Sequence, residues 1–177
     1  MRLLFTIDTN DYDRNGTVMI RPSVRGIIIR DNKLAMIHSL RYDYYKFPGG
    51  GIESGEDHIA TLLREVKEES GLCVIPHTIQ PFGYVHRIQK GNPEDVFIQD
   101  NYYYLCQAAS VPVTQQLDDY EQEELFTPEW VLPSEILHTN RSHYHGIKQE
   151  DFQFDVVLER ECRVIERLLT EGYLADQ

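Results

Sequence analysis

Residues 50–72 read GGIESGEDHIATLLREVKEESGL. Glu65, Glu68 and Glu69 stand at i, i+3 and i+4, with Arg64 immediately before them. On an α-helix those three positions share one face, so three negative charges project side by side. Like charges at that spacing destabilise a helix unless something neutralises them. A divalent cation does so, and an all-oxygen carboxylate cluster suits Mg²⁺ or Mn²⁺ better than zinc. The flanking residues define the helix. Pro48, Gly49, Gly50 and Gly51 allow close backbone approach ahead of it. Ser54 and Asp57 are candidate N-caps, and Glu56 and Asp57 suit the positive end of the helix dipole. Ile59, Leu62, Leu63 and Val66 give a stripe to bury. Gly71 is placed as the stop. Arg64 lies one turn before Glu68 and is spaced to hold a carboxylate. A solvated acidic face explains the charges alone; it does not explain the glycine loop, the arginine and the stop.

Outward from this stretch, Val24–Ile29 and Leu34–His38 are apolar runs separated by Asp31-Asn32, a hairpin signal. Leu3–Ile7 reads as an added strand, and Asp8–Gly16 as a loop. Gly83–Gln89 and Val96–Ala108 read as strands around a turn at Lys90–Asp95. Val111–Gln122 reads as a polar, mobile excursion, Leu125–Leu132 as a strand carrying Trp130, Ser134–Leu137 as a helical turn and Asn140–Gln149 as a polar loop. Phe154–Leu169 is amphipathic at helical period through Val156, Val157, Cys162, Ile165, Leu168 and Leu169. Strands on both sides of one central helix, then a final helix, predict an α/β fold with a mixed sheet between helices. One domain is expected over 1–177, with an N-terminal extension or added strand in 1–20 and a C-terminal helix within 150–172.

Composition narrows the function. The net charge of −12 argues against nonspecific binding to a nucleic-acid backbone or an anionic membrane. It leaves room for a polyphosphate, which metal ions and a few local Arg or Lys residues can bridge to an acidic site. Cys73, Cys106 and Cys162 lie far apart without metal-ligand spacing, and their odd count with no signal segment fits a reducing cytoplasm. No run approaches the ~20 apolar residues that span a bilayer. His138, His143 and His145 match no zinc pattern and read as loop residues.

The quoted stretch resembles the Nudix box, G-x5-E-x7-R-E-U-x-E-E-x-G-U, where U is bulky and apolar. Gly50, Glu56, Arg64, Glu65, Val66, Glu68, Glu69, Gly71 and Leu72 fill all nine defined positions. The resemblance implies a Nudix-type α/β/α sandwich and a metal-dependent hydrolase that cuts a diphosphate linkage in a nucleoside diphosphate derivative or nucleoside triphosphate. It implies Mg²⁺, with Mn²⁺ as a substitute, held by Glu65, Glu68 and Glu69 and by a backbone oxygen of the glycine loop, taken as Gly50. Arg64 is expected to orient the cluster and Glu56 to fix the loop to the helix. A general base is expected in the box or among Glu121, Glu123 and Glu124; Glu124 is favoured, six residues before Trp130. Arg25, Arg41, Tyr45 and Phe47 are the candidate substrate contacts, with Tyr42, Tyr44 and Lys46 beside them.

The expected partner is a small nucleotide-type diphosphate; the chain also allows a homodimer. Residues that mark substrate in several Nudix groups are missing: His86 stands near the place of the ADP-ribose group's proline, and Arg87, Ile88 and Gln89 where the diadenosine-polyphosphate group has tyrosine. The NADH and coenzyme A signatures are absent. The competing readings are a non-catalytic nucleotide sensor, an RNA 5′-pyrophosphohydrolase and an isoprenoid-diphosphate isomerase using Cys73. A complete set of box glutamates, the lack of a basic stripe and the lack of a partner for Cys73 count against them in turn.

Overall fold

In a computed structural model, residues 1–142, 144–146 and 154–175 are described. The strands are β1 (Leu3–Asp8), β2 (Val18–Ile20), β3 (Ser23–Arg30), β4 (Lys33–Ser39), β5 (Tyr44–Lys46), β6 (Gln80–Lys90), β7 (Val96–Cys106) and β8 (Phe126–Val131). The helices are α1 (His58–Ser70), α2 (Asp119–Glu123), α3 (Pro133–Asn140) and α4 (Phe154–Thr170). The sheet runs β1-β6-β7-β3-β4-β5, with β2 added against β7 and β8 against β4. It is mixed: β1 with β6, β2 with β7 and β3 with β7 are parallel, and the other pairs antiparallel.

The β3–β4 hairpin turns where the sequence signals it. Asp31 and Asn32 take φ of 50° and 60°, the left-handed pair that a two-residue hairpin turn needs and that Asp and Asn tolerate. Along β3 the side chains alternate between two cores. Val24 and Ile28 pack with Leu62 and Val66 of α1. Ile27 packs with Val85 of β6, Tyr103 of β7 and Ile165 and Leu168 of α4. Both faces of the sheet are therefore covered by helices. The expected α1 stripe is narrower than the pattern suggests: Leu62 and Val66 are fully buried, Leu63 is half-buried, and Ile59 is exposed.

Three local features depart from the sequence reading. β2 and β5 are three-residue strands that no alternation announces; each exists because a longer strand offers it a ladder. The helical turn expected at Ser134–Leu137 extends to the eight residues of α3, with Pro133 in its first turn. The excursion after β7 is fastened to the end of α1: Val113 N–H donates to Gly71 O at 2.8 Å and Gln116 N–H to Glu68 O at 2.9 Å. Those bonds occupy carbonyls that a helix end otherwise leaves without partners. Of the loop expected at 140–149, Asn140 is the last residue of α3, and residues 143 and 147–149 lie outside the described residues.

Asp57 caps α1, its Oδ1 accepting from Ala60 N–H at 2.8 Å, and Gly71 ends it at φ 70°. A Cβ on Gly71 would lie 2.2 Å from Val113 O. Gly71→Ala therefore combines a left-handed penalty of about 1–2 kcal/mol with a backbone clash. Gly55 also has positive φ, at 89°, but open space around its Cβ position. Urea unfolding should show Gly71→Ala losing clearly more stability than Gly55→Ala. Equal losses would mean that the excursion is not fixed against the helix end.

Candidate active site

Arg64 organises the acidic face of α1. Its Nε and Nη2 donate to the two oxygens of Glu56, each at 2.8 Å, and its Nη1 reaches Glu65 Oε1 at 2.7 Å and Glu68 Oε2 at 3.1 Å. One guanidinium thus makes four bonds to three carboxylates, with Glu56 held bidentately, which its planar fork permits and the three donors of an ammonium do not. The Arg64 bonds hold the Glu56 carboxyl down at about 2, against the opposing effect of desolvation. Glu65 goes the other way: burial raises its pKa more than Arg64 lowers it. Gly50 makes room for this arrangement, since a Cβ there would lie 2.2 Å from Glu65 Oε2.

Glu69 lies deeper, with a side chain 2% exposed. Lys46 Nζ from β5 contacts its Oε1 at 2.6 Å, and Gly49 N–H donates to its Oε2 at 2.8 Å. Burial disfavours its ionised form, but the charges of Lys46 and Arg25 outweigh that effect and leave its pKa lowered. Glu121 of α2 is hydrogen-bonded to Glu69. Burial first, and then the Glu69 charge, push the Glu121 carboxyl up to about 7. Its place is set by a capping box: Asp118 N–H donates to Glu121 Oε2 at 2.9 Å, and the Asp118 side chain accepts from the Glu121 backbone. Glu65, Glu68, Glu69 and Glu121 line one cleft of about 580 Å³, with Arg21, Arg64 and Asp118 on its walls.

A model of the NUDIX domain matches residues 19–150, well over half of the chain. The chain belongs to the Nudix hydrolase family. Solved structures agree on the fold. A Nudix hydrolase from Nitrosomonas europaea superposes with a TM-score of 0.57 at 19% identity, covering 84% of this chain and 89% of the other. The MutT protein from Bacillus halodurans gives 0.54 at 18% identity, covering 80% and 84%. The MutT Nudix hydrolase from Burkholderia pseudomallei gives 0.51 at 18%, covering 80% and 97%. No curated protein matches the chain.

Within this Nudix fold the expected site residues separate. The box residues Arg64, Glu65, Glu68 and Glu69 meet in the cleft. The Gly50 carbonyl accepts from Val24 N–H at 2.9 Å and so faces β3. Glu124 lies away from the cleft: its Oε2 accepts from Tyr44 Oη at 2.8 Å and Ser39 Oγ at 3.2 Å. The four candidate substrate contacts are not brought together. Phe47 is fully buried, edge-on to Tyr103. Tyr45 is buried, stacks on His38 and donates to Glu129 at 3.2 Å. Arg41 is exposed beside Tyr42. Arg25 lines a pocket between the sheet and α4. His145 is buried against the carbonyls of Tyr42 and Asp43, His138 closes α3, and His143 lies outside the described residues.

Sequence reasoning did not single out Arg21 and Asp118, which line the cleft, or Arg87 and Arg160, which line the pocket with Arg25. The signals were the D-x-x-E of Asp118–Glu121 and the position of Arg160, four residues after Val156 and four before Val164 on the apolar side of α4.

The donors in the cleft are all oxygen, with no imidazole or thiolate among them. That set fits a hard divalent ion. Among the described residues no three metal-ligating side chains are grouped to hold one as they stand; Arg64 spans Glu65 and Glu68, and Lys46 holds Glu69. A carboxylate has about four lone-pair sites, so Glu69 can keep both its contacts and still ligate.

Arg64→Ala should lower the melting temperature, because three carboxylates lose their shared cation. The sign with pH follows from Glu56. Its folded pKa is depressed, so its stabilisation is complete above the unfolded value of about 4.3 and fades as pH falls toward about 2. The gap in melting temperature between wild type and Arg64→Ala should therefore narrow over that window. A constant gap would show that Arg64 acts by packing alone.

Proposed function

We propose that this Nudix hydrolase cuts a diphosphate linkage in a nucleoside diphosphate derivative or a nucleoside triphosphate, using Mg²⁺ or Mn²⁺. The observation that carries the reading is the convergence of Glu65, Glu68 and Glu69 from α1 and Glu121 from α2 on one polar cleft. A diphosphate resists hydrolysis because its charged oxygens repel a nucleophile. When bound, a divalent ion neutralises those oxygens and acidifies an attacking water. Glu65, Glu68 and Glu69 would hold it. Arg64 would fix the first two in position through the bonds described above. Arg21, on the cleft wall, would contact a phosphate oxygen. Gly50 contributes by having no side chain, which leaves the Glu65 carboxylate its space.

The base in this reading is Glu121. Of the three acids in its segment it is the one that lines the cleft and bonds to Glu69. Its backbone is fixed by the capping box, so its carboxyl is presented with little freedom. Glu124 fills a different role, next to Tyr44 and Ser39.

The test is a panel of nucleoside triphosphates, dinucleoside polyphosphates, ADP-ribose, nucleotide sugars and 5′-triphosphorylated RNA, scored for products with and without chelator. Chelator-insensitive turnover, or none on any diphosphate, would sink the reading. On the best substrate Glu121→Gln should lower kcat by about 10²–10⁴, the range for loss of a general base, while Glu124→Gln falls much less. The reverse order would move the base to Glu124. Glu68→Gln should weaken Mn²⁺ binding measured by electron paramagnetic resonance, with the fold retained; unchanged affinity would remove Glu68 from the ligand set.

A further inference from the structure

The face of the sheet toward α4 changes character along its length. In β3, β6 and β7 the residues Ile27, Val85 and Tyr103 belong to the apolar core under α4. Further along the same face the side chains are Ser23 and Arg25 on β3, Arg87 and Gln89 on β6, and Gln99 and Asn101 on β7. Their registers, Ser23 with Asn101 and Arg87 with Gln99, place them side by side. All but Arg25, which is half-buried, are buried. From the other side α4 adds Arg160, 2% exposed. Burying polar and charged groups costs free energy unless they are bonded, so this end of the interior calls for an explanation.

Part of it is internal. Ser23 Oγ donates to Asn101 Oδ1 at 2.9 Å, Arg160 Nη1 donates to the same oxygen at 2.7 Å, and Arg160 pairs with Glu161. Arg87 Nε donates to Gln89 Oε1, and Arg25 Nη1 to the Gly49 carbonyl. Arg25, Arg87, Gln99 and Arg160 also line a pocket of about 200 Å³. That is several times the ~30 Å³ of a water in the liquid and below the ~300–1,000 Å³ of sites for drug-sized ligands, so it suits one small group. Four cations line it: Arg25, Lys46, Arg87 and Arg160. Arg25 Nε is buried there without a hydrogen-bond partner. Glu124 is the one acid among the described lining residues, and the Tyr44 and Ser39 hydroxyls donate to it. Arginine forks converging on one small volume match the geometry of a phosphate.

We propose that this pocket binds a phosphoryl group, carried by the substrate on the part beyond the diphosphate that is cut. Lys46 joins the two places: it lines the pocket, and its Nζ lies 2.6 Å from Glu69 of the catalytic cleft. The assignment to the substrate rests on the diphosphate-hydrolase reading; the affinity of the pocket for phosphate does not.

The experiment is calorimetric titration of inorganic phosphate into the full chain in chelator, which keeps divalent ions out of the cleft. Wild type should bind. Arg87→Gln should bind about tenfold or more weakly, the effect of losing a bond to a charged group. Because Arg87 is buried, a second variant guards against misfolding: Val157→Glu puts a negative charge at the half-buried pocket lip and should weaken binding similarly, with melting behaviour retained. Glu68→Gln should bind phosphate as wild type does even if turnover is lost, which separates this proposal from the hydrolase reading. No binding by wild type, or undiminished binding by folded Val157→Glu, overturns the pocket. With the best substrate of the panel, Val157→Glu and added phosphate should each raise KM and leave kcat near its parental value. Phosphate that changes kcat without raising KM marks a free effector and overturns the assignment to substrate.

Discussion

A single buried carboxylate, Glu69, holds the functional end of the molecule together. Taking an ionised carboxylate out of water costs several kcal/mol even after relaxation. Glu69 is stabilised there by an ammonium at 2.6 Å and a backbone N–H at 2.8 Å, which come from β5 and from the glycine loop. The same side chain bonds to Glu121 of α2. Three separate pieces of chain, α1, β5 and the glycine loop, therefore take their relative positions from one charge, and α2 meets it with a carboxyl that the charge pushes toward its protonated form. Arg64 does comparable work on the outer face of α1, but it is more exposed and its contacts lie closer in sequence. Losing Lys46 would leave a buried charge unpaired, a change that costs about 3–5 kcal/mol in comparable sites.

What the sequence made legible is what local chemistry specifies. The limits of α1 follow from an Asp cap and a left-handed glycine a fixed number of residues apart, and no distant residue has to be known. The Asp31-Asn32 turn is of the same kind, as is the period of α4. The features that escaped are those defined by a partner. β5 is three residues long and is a strand only because β4 pairs with it. Its pairing also decides which way its side chains point, and both Tyr44 and Tyr45 are buried, as is Phe47 just beyond it. An aromatic run beside a glycine loop looks like a ligand platform until that ladder is known. Glu121 and Glu124 are three residues apart, and only the capping box shows which of them turns toward α1.

The chain carries a net charge of −12, yet its functional end is not uniformly acidic. On the α1 side of Glu69 carboxylates outnumber the two arginines of the cleft wall, Arg21 and Arg64; on the α4 side Arg25, Arg87 and Arg160 outnumber Glu124 and the Glu161 that pairs with Arg160. Lys46 and Glu69 form the boundary, each neutralising the other. A polyanion approaching the carboxylate cleft alone meets repulsion that a divalent ion must offset. Positive charge behind the boundary adds an attraction of its own, and in a low-dielectric interior it acts with little screening. The two regions ask different things of a ligand. On the reading proposed above, the cleft would select for oxygens able to share a metal ion, whereas the pocket would select for a compact anion beside them. A molecule with both features gains from each, and one with only the first forgoes the second. Discrimination of that kind lies in the placement of buried arginines on β6 and α4, outside the Nudix box and beyond what the box can report.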